Sequence, residues 1–155
     1  MIDESSNALV MIRVATLADI ETIEKLDNYS SSPTRDIHRE MEKYFGSVDP
    51  STHEQTIIFL AEINNTVVGK AELMVPPTEA STHMGYIKRV IVDPEYRKHG
   101  LARRLMQHII NYARSELQLQ GLDLHVWDEN HSAVNLYESL GFQVKHRELY
   151  LRLPF

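Results

Sequence analysis

The segment from Val90 to Ala102 combines residue types that bind a small polyanion. It reads Val-Ile-Val-Asp-Pro-Glu-Tyr-Arg-Lys-His-Gly-Leu-Ala, so an apolar strand pattern leads through a short basic loop into a helical pattern. The first turn of a helix carries unpaired backbone N–H groups and partial positive charge, which together favour a diphosphate. We therefore expect the amides from about Lys98 to Ala102 to bind such a group, with Gly100 allowing close approach of the backbone.

This pattern is weakly specific by itself. Arg97, Lys98 and Arg103 could add charge to an anion site, but they specify neither a base nor a sugar. Gly100 could equally serve only to start a helix, and Arg97 could be an ordinary solvated side chain. A second motif is needed to decide between the two interpretations.

A second block runs from Asn130 to Phe142 and reads Asn-His-Ser-Ala-Val-Asn-Leu-Tyr-Glu-Ser-Leu-Gly-Phe. Its apolar residues recur at helical spacing, and Gly141 is typical of a helix end. Arg-x-x-Gly-x-Ala after a strand end, followed by Asn-x-x-Ala-x-x-Leu-Tyr-x-x-x-Gly-Phe, resembles the GNAT superfamily of N-acetyltransferases. The resemblance covers Tyr86 to Phe142.

The resemblance implies acetyl-CoA as cosubstrate, bound in the gap between two splayed strands. It implies that the Val90 amide holds the thioester carbonyl, that the Val92 backbone holds pantetheine, and that Asn130 contacts this arm. It also implies that the pyrophosphate lies on the loop and the first helical turn, formed by Arg97, Lys98, His99, Gly100, Leu101, Ala102 and Arg103. Tyr137 matches the tyrosine that protonates the departing thiolate, although a tyrosine at helical spacing can also simply pack.

The chemistry of a thioester agrees with these implied roles. A thioester is already activated, so catalysis requires positioning of the amine and stabilisation of developing negative charge. The chain has no cysteine, which fits direct attack in a ternary complex rather than a cysteine-bound acyl intermediate. We predict an enzyme that moves the acetyl group to a primary amine of a small molecule or a peptide N-terminus. The alternatives are a non-catalytic acyl-CoA-binding regulatory module of the same fold, and an enzyme that acts on another phosphate ligand.

The general base is not evident from the sequence. Several members of the superfamily place a glutamate at the position that aligns with Tyr86, and this chain has no carboxylate there. Glu72 on the preceding strand, His83 in the loop before the strand, or Tyr86 as a hydrogen-bonding relay are candidates. Each also has a structural interpretation: Glu72 on a solvated strand face, His83 as a loop residue and Tyr86 as a packed aromatic. An amine of low pKa would need no dedicated base.

The acceptor site is expected near residues 28–49 and 76–84, as the resemblance implies. Four acidic residues in these regions would suit a cationic substrate, or form a solvated face: Asp36, Glu40, Glu42 and Glu79. Trp127 could line the acceptor pocket, or pack as strand tryptophans usually do.

Composition restricts the remaining classes. The 155 residues carry a formal charge of −6, with 25% charged and 43% hydrophobic residues, as expected for one globular domain spanning 1–155. The acidic balance disfavours nucleic acid as a partner. The sequence has no apolar run long enough to span a membrane and no secretory signal, so we expect a cytoplasmic protein. The eight histidines show no metal-ligand spacing, and no metal is predicted. Homodimer formation through the C-terminal strands or the sheet edge stays open.

Hydrophobic periodicity predicts the order β-α-α-β-β-β-α-β-α-β-β, a mixed α/β or α+β sheet covered by helices. The resemblance implies, more narrowly, a largely antiparallel central sheet with a splayed strand pair and about four helices. Thr16 is the predicted N-cap of the first helix. The predicted strands are Val10–Ala15, Thr56–Ile63, Thr66–Val75, Tyr86–Val92, Leu122–Trp127, Phe142–Lys145 and Glu148–Leu153. The first predicted helix begins after Thr16. The other three predicted helices cover Thr34–Phe45, Gly100 to Gly121 and Ser132–Leu140.

Overall fold

The computed structural model describes residues 10–30, 35, 37, 41–78, 80 and 82–155, with the side chains of residues 41 and 42 left out. The chain divides into two compact units, residues 1–125 and 126–155. Each unit is described by itself below. No helix within the described ranges has both the length and the apolar character needed to cross a bilayer.

The first unit is built on a five-stranded sheet with the order β1-β2-β3-β4-β5. Strands β1 to β4 are antiparallel neighbours, whereas β5 runs parallel to β4. The strands are β1 (Val10–Val14), β2 (Gln55–Ile63), β3 (Thr66–Val75), β4 (Met84–Val92) and β5 (Gly121–Leu124). The helices of this unit are α1 (Ile20–Asp27), α2 (Met41–Tyr44) and α3 (Leu101–Ser115), with short 3-10 turns at Leu17–Asp19 and Pro94–Tyr96. The predicted mixed α/β fold is confirmed.

Helices α1 and α3 pack on opposite faces of the sheet. Phe59 makes edge-to-face contacts with His108 and Tyr112 of α3. Its neighbour Ile58 belongs to the buried cluster that includes Ile23 of α1. Successive strand residues point to opposite faces, so the α1 face of the sheet carries Ile58 and its β3 register partner Glu72.

The first 3-10 turn is fixed by Asp19. The carboxylate of Asp19 accepts a hydrogen bond from the Thr16 backbone N–H at 2.8 Å and two from the Arg13 guanidinium, each at 2.8 Å. The hydrogen bonds from Arg13 outweigh burial and lower the pKa of Asp19 to about 2. Thr16 is the N-cap of this turn, whereas the N-cap of α1 is Asp19, so the predicted cap lies one 3-10 turn ahead of the helix.

The second unit contains α4 (His131–Ser139). Asn130 caps its N-terminus by accepting a hydrogen bond from the Ala133 N–H at 3.3 Å. At the other end Gly141 has φ 102, and the Phe142 N–H donates to the Tyr137 carbonyl at 3.0 Å. This six-residue closure with a left-handed glycine is the Schellman motif, and it explains why the sequence pattern located this helix to within one residue at each end.

Four predicted elements differ in the structure. Helix α3 ends at Ser115 rather than at Gly121, because the chain turns through Gln118 in a left-handed conformation (φ 52). Strand β5 begins at Gly121 and ends at Leu124, short of Trp127. The predicted strands Phe142–Lys145 and Glu148–Leu153 are wrong, since residues 142–155 carry no strand. A strand forms only where a second edge accepts its hydrogen bonds, and local alternation cannot supply that partner.

The predicted helix Thr34–Phe45 appears as the single turn α2, Met41–Tyr44. Its earlier part lies largely outside the described residues, with Arg35 and the buried Ile37 as the described positions.

Candidate active site

Strand β4 contains a β-bulge against β3. Glu72 lies opposite Lys88, whereas Lys70 lies opposite Ile91. Two β4 residues, Arg89 and Val90, therefore occupy the interval that one β3 residue spans, which is the geometry of a bulge. Arg89 has φ 52, in the left-handed region that residues with side chains seldom adopt. The bulge reorients the backbone of β4 at the position predicted to hold the thioester carbonyl.

Strand β4 also extends beyond its pairing with β5. The parallel register runs from Met84 opposite Gly121 to Ile87 opposite Leu124, and β5 ends there while β4 continues to Val92. Val90 lies three residues past the last pair. An extended ligand with amide groups could therefore add to this edge of β4 as a strand does.

A short loop connects β4 to the N-terminus of α3. The Asp93 carboxylate accepts from the Glu95 N–H at 3.0 Å, and Arg97 Nε donates to the Val92 carbonyl at 3.1 Å. Lys98 and Gly100 both adopt positive φ angles, 67 and 77. The predicted anion-binding residues are thus gathered in one loop and the first turn of a fifteen-residue helix: Arg97, Lys98, His99, Gly100, Leu101, Ala102 and Arg103.

Tyr86 is joined to a histidine that the sequence analysis missed. The Tyr86 hydroxyl lies 2.6 Å from Nδ1 of His125. Tyr86 is the register partner of Asp123, and His125 follows two positions later along the chain, where strand alternation returns a side chain to the same face. This alternation is the signal that could have identified His125 from the sequence.

Glu72 is fully buried, so its interpretation as a residue on a solvated strand face is wrong. Arg35 holds both carboxylate oxygens, Nη1 to Oε1 at 2.6 Å and Nη2 to Oε2 at 2.5 Å, and Lys70 also donates to Oε2. Burial alone would raise the pKa of Glu72, but the hydrogen bonds from Arg35 and the charge of Lys70 hold it below its ordinary value. The carboxylate is therefore ionised and already engaged.

Asp27, at the end of α1, completes a buried ion cluster on this face. Its Oδ2 accepts from Arg35 Nε at 3.1 Å, and its Oδ1 lies 2.8 Å from Lys70 Nζ. The chain segments that carry Asp27, Arg35 and the Lys70–Glu72 pair are distant in sequence. A local sequence motif therefore cannot predict this cluster.

The other predicted site residues have varied surroundings. His83 is tied through its backbone to Gln120, whose N–H donates to the His83 carbonyl at 2.8 Å. Trp127, in the second unit, is 66% exposed, and its ring lies edge-on to Tyr150 with centroids 6.5 Å apart. Asp36, Glu40 and Glu79 lie outside the described residues, as does the side chain of Glu42.

Tyr137 and Asn130 belong to the second unit. Tyr137 is half-buried on α4 and packs edge-to-face against Phe142, with ring centroids 5.9 Å apart. Burial raises the pKa of Tyr137 above its ordinary value, so the phenol stays protonated at neutral pH and is suited to act as an acid.

The mixed sheet, the parallel strand pair that ends at Ile87 and Leu124, and the helix N-terminus at the end of β4 are the features expected of a GNAT fold. Residues 16–142 match the model of the Acetyltransferase (GNAT) family. The chain therefore belongs to this family, whose members transfer an acetyl group from acetyl-CoA to an amine. The predicted family is confirmed.

Curated relatives are N-acetyltransferases with different acceptors. The chain is 32% identical over 100 residues to glucosamine 6-phosphate N-acetyltransferase of Trypanosoma brucei brucei, covering 63% of this chain and just under two thirds, 65%, of that relative. It is 26% identical over 148 residues to spermidine N(1)-acetyltransferase of Vibrio cholerae, covering 88% and 80%. It is 45% identical over 56 residues to the [ribosomal protein bS18]-alanine N-acetyltransferase of Escherichia coli, covering 34% and 35%. These relatives do not favour the non-catalytic alternative.

Solved structures share the fold at lower sequence identity. A Trypanosoma brucei acetyltransferase superposes with a TM-score of 0.66 at 24% identity, covering 93% of this chain and 99% of that chain. AAC(6')-Iy in complex with the bisubstrate analogue CoA-S-monomethyl-acetylneamine gives 0.72 at 16% identity, covering 94% and 99%.

Proposed function

We propose that this protein transfers the acetyl group of acetyl-CoA to a primary amine, on a small molecule or a peptide N-terminus, by direct attack in a ternary complex. The observation that carries the proposal is the β4 bulge at Arg89–Val90, located where β4 extends past its last pair with β5. This arrangement offers a backbone edge to an extended ligand and a reoriented amide to a carbonyl oxygen.

Acetyl-CoA would bind along β4 and the start of α3. The Val90 amide would donate to the thioester carbonyl and stabilise negative charge on that oxygen during attack. The Val92 backbone would pair with pantetheine, and Asn130 would contact the same arm. The pyrophosphate would lie on the amides of Lys98 to Arg103, favoured by the helix N-terminus, with Arg97 adding charge.

The Tyr86–His125 pair is the base that we favour. The amine nitrogen attacks the carbonyl carbon, the C–N bond forms, and the amine proton passes to this pair. The C–S bond then breaks, and Tyr137 donates its proton to the coenzyme A thiolate. A role for Glu72 as base stays a prediction. Its engagement by Arg35 and Lys70 supports the Tyr86–His125 pair instead, with Glu72 as a positioning residue.

Three further expectations accompany this proposal. The family match extends over residues 16–142, which supports one acetyltransferase domain across the chain. Acetyl-CoA as cosubstrate supports a cytoplasmic location. Homodimer formation, and activity that requires neither a metal nor nucleic acid, stay predictions for solution measurements.

The test is isothermal titration of the protein with acetyl-CoA beside ATP, followed by an amine screen that measures coenzyme A release. We expect one-to-one binding of acetyl-CoA, no comparable binding of ATP, and amine-dependent release. Binding without release for any amine would support the acyl-CoA-binding module, and preferential ATP binding would support an enzyme acting on another phosphate ligand. Absence of acetyl-CoA binding would refute the proposed function.

A further inference from the structure

Lys88 is a half-buried cation on the face of β4 that also carries Tyr86. Alternate strand residues share a face, so Tyr86 and Lys88 are neighbours on the α1 face, and Val90 lies in the bulge that follows Lys88. In the mechanism proposed above, the amine is deprotonated at Tyr86 and attacks the carbonyl held at Val90. Lys88 lies between these two positions along the strand.

The neighbouring carboxylate does not neutralise Lys88. Glu72 is its register partner on β3, yet the Glu72 oxygens are held by Arg35 and Lys70. Among the described residues, the Lys88 ammonium has no carboxylate within 4 Å. Among the described residues, the ion cluster pairs the carboxylates of Asp27 and Glu72 with the cations Arg35 and Lys70, so its two negative charges are already matched without Lys88.

Within the described part of the chain, most of the charged groups that act on Lys88 are cations. Burial lowers the pKa of Lys88, and the cations Lys43, Arg89 and Arg35 lower it further, while Glu72 opposes them. Lys43 is itself 4.0 Å from its carboxylate partner Asp49. An anion placed beside Lys88 would be attracted to its ammonium group, because a partly desolvated site screens charges weakly.

We propose that Lys88 binds an anionic group, phosphate or carboxylate, on the acceptor, and so selects amines that carry one. This inference deepens the proposed function and rests on it. A substrate anion held by Lys88 would orient the amine toward the reacting carbonyl. Lys88 is thereby assigned as a specificity-determining residue.

The experiment compares acceptors that differ in one anionic group. The phosphate pair is glucosamine 6-phosphate and glucosamine, the carboxylate pair is β-alanine and its amide, and spermidine is the cationic amine. We expect wild-type kcat/KM to be at least about tenfold higher for the anionic member of one pair, and the responding pair identifies the anion. Lys88→Gln should abolish this preference while retaining the rate with the neutral member, and Lys88→Arg should preserve it.

Lys25→Gln is the matched control, because it removes one positive charge from an exposed position on α1. It should leave the preference unchanged. The inference would be overturned by equal kcat/KM values for the two members of both pairs, or by a preference for spermidine over every anionic amine. It would also be overturned if Lys88→Gln lowered kcat/KM equally for the anionic and the neutral member. Acetyl-CoA binding and coenzyme A release with any amine are measured in the same series. If the protein acetylates spermidine alone, the role of Lys88 is refuted, but the proposed function is still supported.

Discussion

The Arg35 guanidinium holds both carboxylate oxygens of Glu72, at 2.6 and 2.5 Å, across 37 positions of sequence. The Arg35 side chain is 6% exposed and that of Glu72 is 0% exposed. The ion pair connects the segment after α1 to β3, the strand that pairs with β4 at the bulge. Its first role is therefore to hold together the two chain segments that border the proposed acceptor site.

Glu72→Gln is expected to lower the free energy of unfolding by about 3 to 5 kcal/mol, because it leaves Arg35 and Lys70 buried with one carboxylate fewer. Urea unfolding measures this loss. Glu62→Gln is the matched control, since it breaks the more exposed ion pair with Arg13 and should cost about 1 kcal/mol or less. Equal losses for the two variants would contradict the structural role of Glu72.

Asp19→Asn should destabilise the protein in a pH-dependent way. The folded pKa of Asp19, about 2, is below the ordinary value of 3.8, so its stabilisation is present above pH 4 and is lost as pH falls toward 2. The difference in unfolding free energy between wild type and variant should be about 1 to 2 kcal/mol at pH 6, and should shrink steadily as the pH falls to 2. Urea titrations from pH 2 to 6 test this, and a constant difference would argue against the lowered pKa.

Tyr86→Phe and His125→Asn should each reduce kcat by about 10² to 10⁴, the usual range for loss of a proton-transfer group. Acetyl-CoA affinity should be retained, because neither side chain is assigned to cosubstrate binding. The double variant should lose scarcely more than either single variant, since the two groups act as one unit. Independent, multiplicative losses would show that they do not share a proton.

Tyr137→Phe should reduce kcat while preserving the Kd for acetyl-CoA, because the phenol is assigned to protonate the leaving thiolate. Tyr150→Phe is the control, an exposed tyrosine in the same unit. Titration calorimetry and coenzyme A release separate the two effects. A Tyr137→Phe enzyme with wild-type kcat would leave Tyr137 as a packing residue against Phe142.

Gly100→Ala should weaken acetyl-CoA binding about tenfold, because a side chain strains the left-handed backbone (φ 77) at the start of α3. Gly46→Ala imposes comparable strain at φ 95, with open space around the added Cβ in both cases, but lies outside the proposed cosubstrate site. Both variants should lose about 1 kcal/mol of stability. A tenfold change in Kd for Gly46→Ala as well would assign the effect to global strain.

The local parts of the fold followed from residue patterns. Strand β3 was predicted at Thr66–Val75 and α4 to within one residue at each end, because alternation, caps and the glycine at 141 are encoded within a few positions. Apolar spacing predicts a longer α3 than the structure has, because this spacing continues beyond Ser115, whereas the left-handed backbone at Gln118 turns the chain away. The strands predicted after Phe142 failed for a related reason, since a strand requires a partner edge.

The sequence by itself determined the family and the helix start after β4, because these depend on contiguous motifs. The same motifs supplied the site candidates Val90, Val92, Arg97 to Arg103, Asn130 and Tyr137. Only the tertiary structure decided the β4 bulge, the approach of Tyr86 to His125, and the burial of Glu72 between Arg35 and Lys70. These features depend on register between strands and on side-chain contacts between residues 37 and 39 positions apart in the chain. Such contacts are set by which surfaces meet on folding, and no local spacing rule records them.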